Sequence, residues 1–167
     1  MLNKLFCIDQ MLAEVKSGPN GNNEGYWLKY TNPIMMRYII EEFGGWYMEI
    51  AIIKNEEENS HIRWARSCDK EGLDYDIIDI TRNNWLEAVV SKPYDIFLLK
   101  PPGEIQKFKN LFDERIYILA KVMRKNLFPA YEEVILHENK KLLSYFLEAT
   151  QLPHPKTRIF YYKDEAK

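Results

Sequence analysis

In Glu49-Ile50-Ala51-Ile52-Ile53 every residue after the first is apolar, and three of them are isoleucine. A short β-branched run with no polar alternation predicts a strand covered on both faces, the kind found inside a parallel sheet. The sequence around it agrees. Downstream, Asn59-Ser60 offers an N-cap for a helix with Ile62, Ala65 and Cys68 on one face, and Gly72 offers its left-handed close. Residues 75–80 then predict a second strand. Asn83 or Asn84 opens a short helix carrying Leu86, Val89 and Val90, which Pro93 stops. Residues 94–99 predict a third strand, and Pro101-Pro102-Gly103 breaks the chain. Ile105, Phe108, Leu111, Phe112, Ile116, Leu119 and Met123 recur at helical spacing and predict a long amphipathic helix, with Leu127-Phe128 as a short fourth strand before Pro129. Strand alternating with helix predicts an α/β fold, an open parallel sheet with right-handed crossovers.

Composition leaves that prediction in place. The chain has 167 residues, 46% apolar and 29% charged, which suits one globular domain, or one with an appendage, and excludes bulk disorder. A formal net charge of −2 gives no broad basic field, so nucleic acid and anionic membranes are not expected partners. No apolar run approaches the roughly 18–20 residues that span a bilayer. The first ten residues lack the long apolar core of a secretory signal. Two cysteines, Cys7 and Cys68, stand far apart without a CxxC pair, which argues against a disulfide framework or zinc site and for a reducing, cytoplasmic setting.

Three blocks differ in character. Residues 1–47 form an N-terminal extension with weak helical periodicity, a loop at Ser17-Gly18-Pro19-Asn20-Gly21-Asn22-Asn23, and a helix opened by Asn32-Pro33 with Ile34, Met35, Tyr38, Ile39 and Phe43 on one face. Residues 48–130 are the sheet domain. Residues 131–167 begin with a helical turn, continue with a helix capped by Asn139 and carrying Leu142, Leu143, Phe146 and Leu147, and pass through Leu152-Pro153-His154-Pro155 to a strand over 157–162 and the first turn of another helix.

Ligands of open α/β sheets bind beyond the carboxyl ends of the strands. Those ends are Lys54 to Asn59, Thr81-Arg82, and Lys100-Pro101-Pro102-Gly103-Glu104. No glycine-rich dinucleotide or phosphate loop follows the first strand. A receiver-type acidic pocket is excluded because the third strand ends in Leu-Lys-Pro. Topology therefore nominates Asn55, Asn59, Pro102, Gly103 and Glu104 as substrate contacts. Glu56-Glu57-Glu58 reads as a solvated acidic loop, Cys68 as a core residue, and Trp64 and Trp85 as packing anchors. His61, His137 and His154 have no metal-ligand spacing and suit surface or helix-end positions. No nucleophile triad assembles, and no catalytic residue is nominated.

The third block carries a family resemblance. His137-Glu138-Asn139-Lys140-Lys141-Leu142-Leu143-Ser144-Tyr145-Phe146-Leu147, then Leu152-Pro153-His154-Pro155-Lys156-Thr157, then Asp164-Glu165-Ala166, resembles the opening of the ATP-grasp fold. The preceding block resembles the pre-ATP-grasp domain, a three-layer Rossmann-like open parallel sheet. The departure is at Gln151-Leu152, where the family usually has Gly before the apolar residue. The resemblance implies an ATP-dependent carboxylate–amine or carboxylate–thiol ligase that works through an acyl-phosphate, with ATP and Mg2+ as cofactors. It implies that Lys140, or Lys141 if the register moves by one, reaches the nucleotide phosphates. The family's second phosphate lysine, its adenine contacts and its acidic metal ligands would follow Lys167. The chain is thus expected to be an N-terminal fragment of such a ligase, inactive alone, with no tight cofactor binding. The alternative is a non-catalytic α/β module for association or small-ligand binding, with the Ile34 to Phe43 helix available to a second copy. A nucleotide-binding fold with an unrecognised site is a weaker third option.

Overall fold

The computed structural model describes residues 48–102, 105–137 and 139–166. The expected elements of residues 1–47, together with Gly103, Glu104, Glu138 and Lys167, lie outside that set.

Four parallel strands form the sheet: β1 (Ile50–Lys54), β2 (Tyr75–Asp79), β3 (Ile96–Leu99) and β4 (Leu127–Phe128), in the order β2-β1-β3-β4. The register pairs Ile52 with Ile77 on one side and with Leu98 on the other. Ile50, Ala51, Ile52 and Ile53 are each at most 1% exposed, so β1 is covered on both faces, as its composition requires. Side chains alternate across the sheet. Ile50, Ile52, Ile96 and Leu98 point to one core, where Trp64 and Cys68 of α1 (Ile62–Glu71) cover them. Ala51, Ile53, Phe97 and Leu99 point to the other. That second core is closed by Val89 of α2 (Trp85–Val90), by Phe112 and Ile116 of α3 (Gln106–Tyr117), and by Val134 of α4 (Tyr131–Leu136). Helices thus lie against both faces, and the chain is an α/β protein.

Local signals held in part. Gly72 ends α1 at φ 67°, in the left-handed region glycine reaches without steric cost. Asn139 caps α5 (Lys140–Ala149), its side-chain oxygen accepting the Leu142 N–H at 3.1 Å. Asn59-Ser60 do not cap α1 through their side chains. The helix starts after His61, because the Ser60 hydroxyl is taken by the Asn55 N–H at 3.1 Å. Asn84 precedes α2 without a side-chain cap. β2 and β3 are shorter than predicted: Ile80 and Tyr94 are buried but lie outside the ladders. The long helix runs regularly only to Tyr117 and then widens into a π-helical turn, Ile118–Val122.

The predicted strand over 157–162 is not one. Residues 152–160 have no regular structure, and a short 3-10 turn, Lys163–Ala166, follows. A strand requires a neighbour to pair with, and among the described residues none lies beside this stretch. No residue of α5 is buried, although the helix is amphipathic. Leu143, Tyr145, Phe160, Tyr161 and Tyr162 are all exposed. Among the described residues no helix is long and apolar enough to cross a membrane.

Burial therefore separates the sheet from α5. Leu98→Ala is expected to cost about 2–5 kcal/mol in urea unfolding. Leu143→Ala, on the exposed face of α5, should stay within about 1 kcal/mol. Equal losses at the two sites would show that α5 shares the core.

Candidate functional site

The order β2-β1-β3-β4 places the reversal of chain direction between β1 and β3, because β2 is added on one side of β1 and β3 on the other. In open α/β sheets ligands bind at such a point, beyond the carboxyl ends of the strands. Asn55 is the residue after β1. It is 1% exposed. Its side-chain NH2 donates to the Lys100 carbonyl at 2.9 Å, and its side-chain oxygen accepts the Glu57 N–H at 2.9 Å. With the bond from its N–H to Ser60, it pins the β1 loop to the β3 loop. Trp64 of α1 adds a second tie, its indole N–H donating to the Leu99 carbonyl at 3.1 Å.

The expected acidic loop is not simply solvated. The Lys100 ammonium is paired with the Glu57 carboxylate, joining the loop after β3 to the loop after β1. Glu56 is half-buried, and Glu58 stays exposed. Of the nominated substrate contacts, Asn55 faces inward as a clamp, Asn59 is exposed on the loop, and Pro102 is buried against the sheet end. Gly103 and Glu104 lie outside the described residues.

Beyond the nominated set, α3 and α4 bring two more groups to this edge. Lys109 of α3 is 6% exposed and donates to both Asp113 carboxylate oxygens at 2.6 Å. His137 ends α4. Burial pushes its imidazole down to about 4, and the ammonium groups of Lys109 and Lys100 push in the same direction. His137 thus feels the charge of the lysine that follows β3. Sequence reasoning placed it at a helix end but had no signal for its neighbours, since Lys100 and Lys109 are 37 and 28 positions away by residue number. Expected helix-end or surface roles describe the others: His61 precedes α1, and His154 has Nδ1 2.7 Å from the Leu152 carbonyl.

Lys140 opens α5 three residues after His137, so its Cα is within about 11 Å of that of His137 by chain length alone. Lys140 is exposed. Lys141 instead sits over the Tyr161 ring, 5.3 Å from its centroid. A groove of about 370 Å³ lies between α5 and the chain around 157–165, and another of about 610 Å³ runs along the end of α3 beside Tyr117 and Tyr131. Neither is lined by Asn55, Lys100 or Lys140. Among the described residues no three His, Cys, Asp or Glu side chains are grouped to hold a metal ion.

No protein-family model, no curated protein and no solved structure matches the chain.

Two outcomes follow from the clamp and the imidazole. Asn55→Ala leaves the Lys100 carbonyl and the Glu57 N–H without this partner, and should cost about 1–3 kcal/mol in urea unfolding. His137 binds its proton more weakly in the folded than in the unfolded chain. Its neutral form carries no penalty above the unfolded value of 6.5, and stability falls as pH drops from 6.5 toward 4. The loss should reach at most about 3 kcal/mol. Asp76 titrates outside this window, since hydrogen bonds from Lys92 and Tyr94 hold its carboxyl below 3.8. His137→Gln should flatten the profile between pH 6.5 and 4, and an unchanged slope would assign the loss elsewhere.

Proposed function

We propose that the chain carries the sheet domain and the opening of the nucleotide-binding unit of an ATP-grasp-type ligase, which joins a carboxylic acid to an amine or thiol through an acyl-phosphate. The finer description of the sheet, three-layer and Rossmann-like in the pre-ATP-grasp manner, belongs to the same proposal. One observation supports it: Lys140 opens α5 three residues after His137, and the charge of Lys100, which follows β3, acts on the His137 imidazole. The motif residues of the third block and the strand-end loops of the second, distant in sequence, then serve one site.

The groups present suit their assigned parts. Lys140 is an exposed ammonium held at a fixed place by the Asn139 cap, and a lysine serves a phosphate as a point charge. Lys141, over Tyr161, is the poorer candidate. Bound MgATP would supply the phosphoryl group that activates the acid. The chain's own part is to orient: Asn55 and Trp64 fix the loops against which the acid would lie, and Lys140 would hold the nucleotide's phosphate oxygens in reach.

A second reading has its own support. The exposed Leu143, Tyr145, Phe160, Tyr161 and Tyr162 also suit a non-catalytic association module in which a second copy covers this face.

Trapping acyl-phosphates as hydroxamates separates the two. The protein is expressed with any coding sequence that follows codon 167 and assayed with MgATP, hydroxylamine and a panel of small carboxylic acids. At least one acid should give a hydroxamate, and Lys140→Ala should lower the rate by about tenfold or more, with Lys141→Ala changing it much less. No hydroxamate from any acid would leave the association module as the better reading.

A further inference from the structure

Three elements meet at the groove of about 370 Å³. α5 contributes Tyr145 and Glu148, the irregular stretch after it contributes Arg158 and Phe160, and the 3-10 turn contributes Glu165. On α5 the spacing itself joins ring and carboxylate, because residues three apart share a helix face. The volume lies within the roughly 300–1,000 Å³ of small-ligand sites.

The rings and the charges of this groove favour the same kind of occupant. Tyr145 and Phe160 are each 44% exposed. Among the described residues neither ring packs on another ring or carries a cation. The face of an aromatic ring is negative and attracts a cation. Tyr161, next in the chain, already has one, the Lys141 ammonium at 5.3 Å from its centroid. Glu148 and Glu165 are in no ion pair among the described residues. Arg158 is the one cation on the wall and is equally unpaired. Lys141 and Lys163 are near in sequence but do not line the groove. Two carboxylates against one guanidinium leave the wall negative, beside two uncovered ring faces.

We propose that this groove binds a small organic cation, with an alkylated ammonium head against Tyr145 and Phe160 and its charge met by Glu148 and Glu165. An alkylated head suits such a wall because its carbon groups touch the rings while its charge is drawn to their faces. A small anion would meet two carboxylates. A metal ion would need a tighter set of donors, and among the described residues no three His, Cys, Asp or Glu side chains are grouped to hold one. Arg158 opposes the cation and sets a limit on its affinity. The site is separate from the one proposed for the nucleotide and the acid, and none of its five residues serves there.

The test titrates the 167-residue chain with choline at constant ionic strength and follows the Tyr145 and Phe160 ring resonances by NMR. The comparison is the neutral alcohol of the same shape, in which carbon replaces the quaternary nitrogen. Choline should shift both rings saturably, and the alcohol should bind at least about tenfold more weakly. Tyr145→Leu, Phe160→Leu, Glu148→Gln and Glu165→Gln should each weaken binding by about twofold to fivefold. Arg158→Gln should strengthen it by a similar factor, a sign that a merely structural role would not give. Glu132→Gln, at the Lys121 pair away from the groove, should leave it unchanged. No saturable shift with choline, an equal response to the alcohol, or weaker binding in a folded Arg158→Gln variant overturns the site. Ring shifts that follow protein dilution instead of choline, with a light-scattering mass of two chains, assign the groove to a second copy and overturn it as well.

Discussion

Burial of β1 on both faces is the constraint on which the structure depends. Four successive residues, Ile50 to Ile53, are shut from water, so neither face of the sheet can be left to solvent. One face needs α1, whose Trp64 and Cys68 cover Ile50 and Ile52. The other needs α2, α3 and α4, whose Val89, Phe112, Ile116 and Val134 cover Ala51 and Ile53. Being central, β1 must also pair on both edges, with β2 and β3. The reversal of chain direction beside it follows.

At the carboxyl end of β1 the polar groups follow from the apolar ones. β1 ends where its buried run ends, and the next side chain, Asn55, is enclosed at 1% exposure. A buried amide must find partners. It finds them on both loops, in the Lys100 carbonyl and the Glu57 N–H. The Glu57–Lys100 pair then crosses the same gap. Two ties between loops that no ladder joins make the edge a fixed surface, as a binding site requires.

Much of this was legible in the sequence because it is local. The strands declared themselves by β-branched apolar runs, Gly72 by its place after a helical face, and the Asn139 cap by its position before Lys140. What was not legible depends on residues far apart. Ser60 looked like a helix cap until Asn55, five residues earlier, claimed its hydroxyl. Glu57 looked solvated because its partner, Lys100, lies 43 residues on. Lys109 is not one of the apolar positions that mark its helix, and nothing local to it signals that it is only 6% exposed. The stretch 157–162 has every local mark of a strand, with Ile159 and three aromatic residues. Propensity fits a side chain to a pleated surface but does not provide the neighbouring strand.

The same distinction bears on where function is found. The core residues answer to packing alone, and their identities would suit many α/β proteins. Lys109 and His137 are different: one is a buried cation whose carboxylate partner is partly exposed, the other an imidazole kept neutral by burial first and by two cations after it. The Pro-His-Pro stretch and the α5 face remain at the periphery of the described structure.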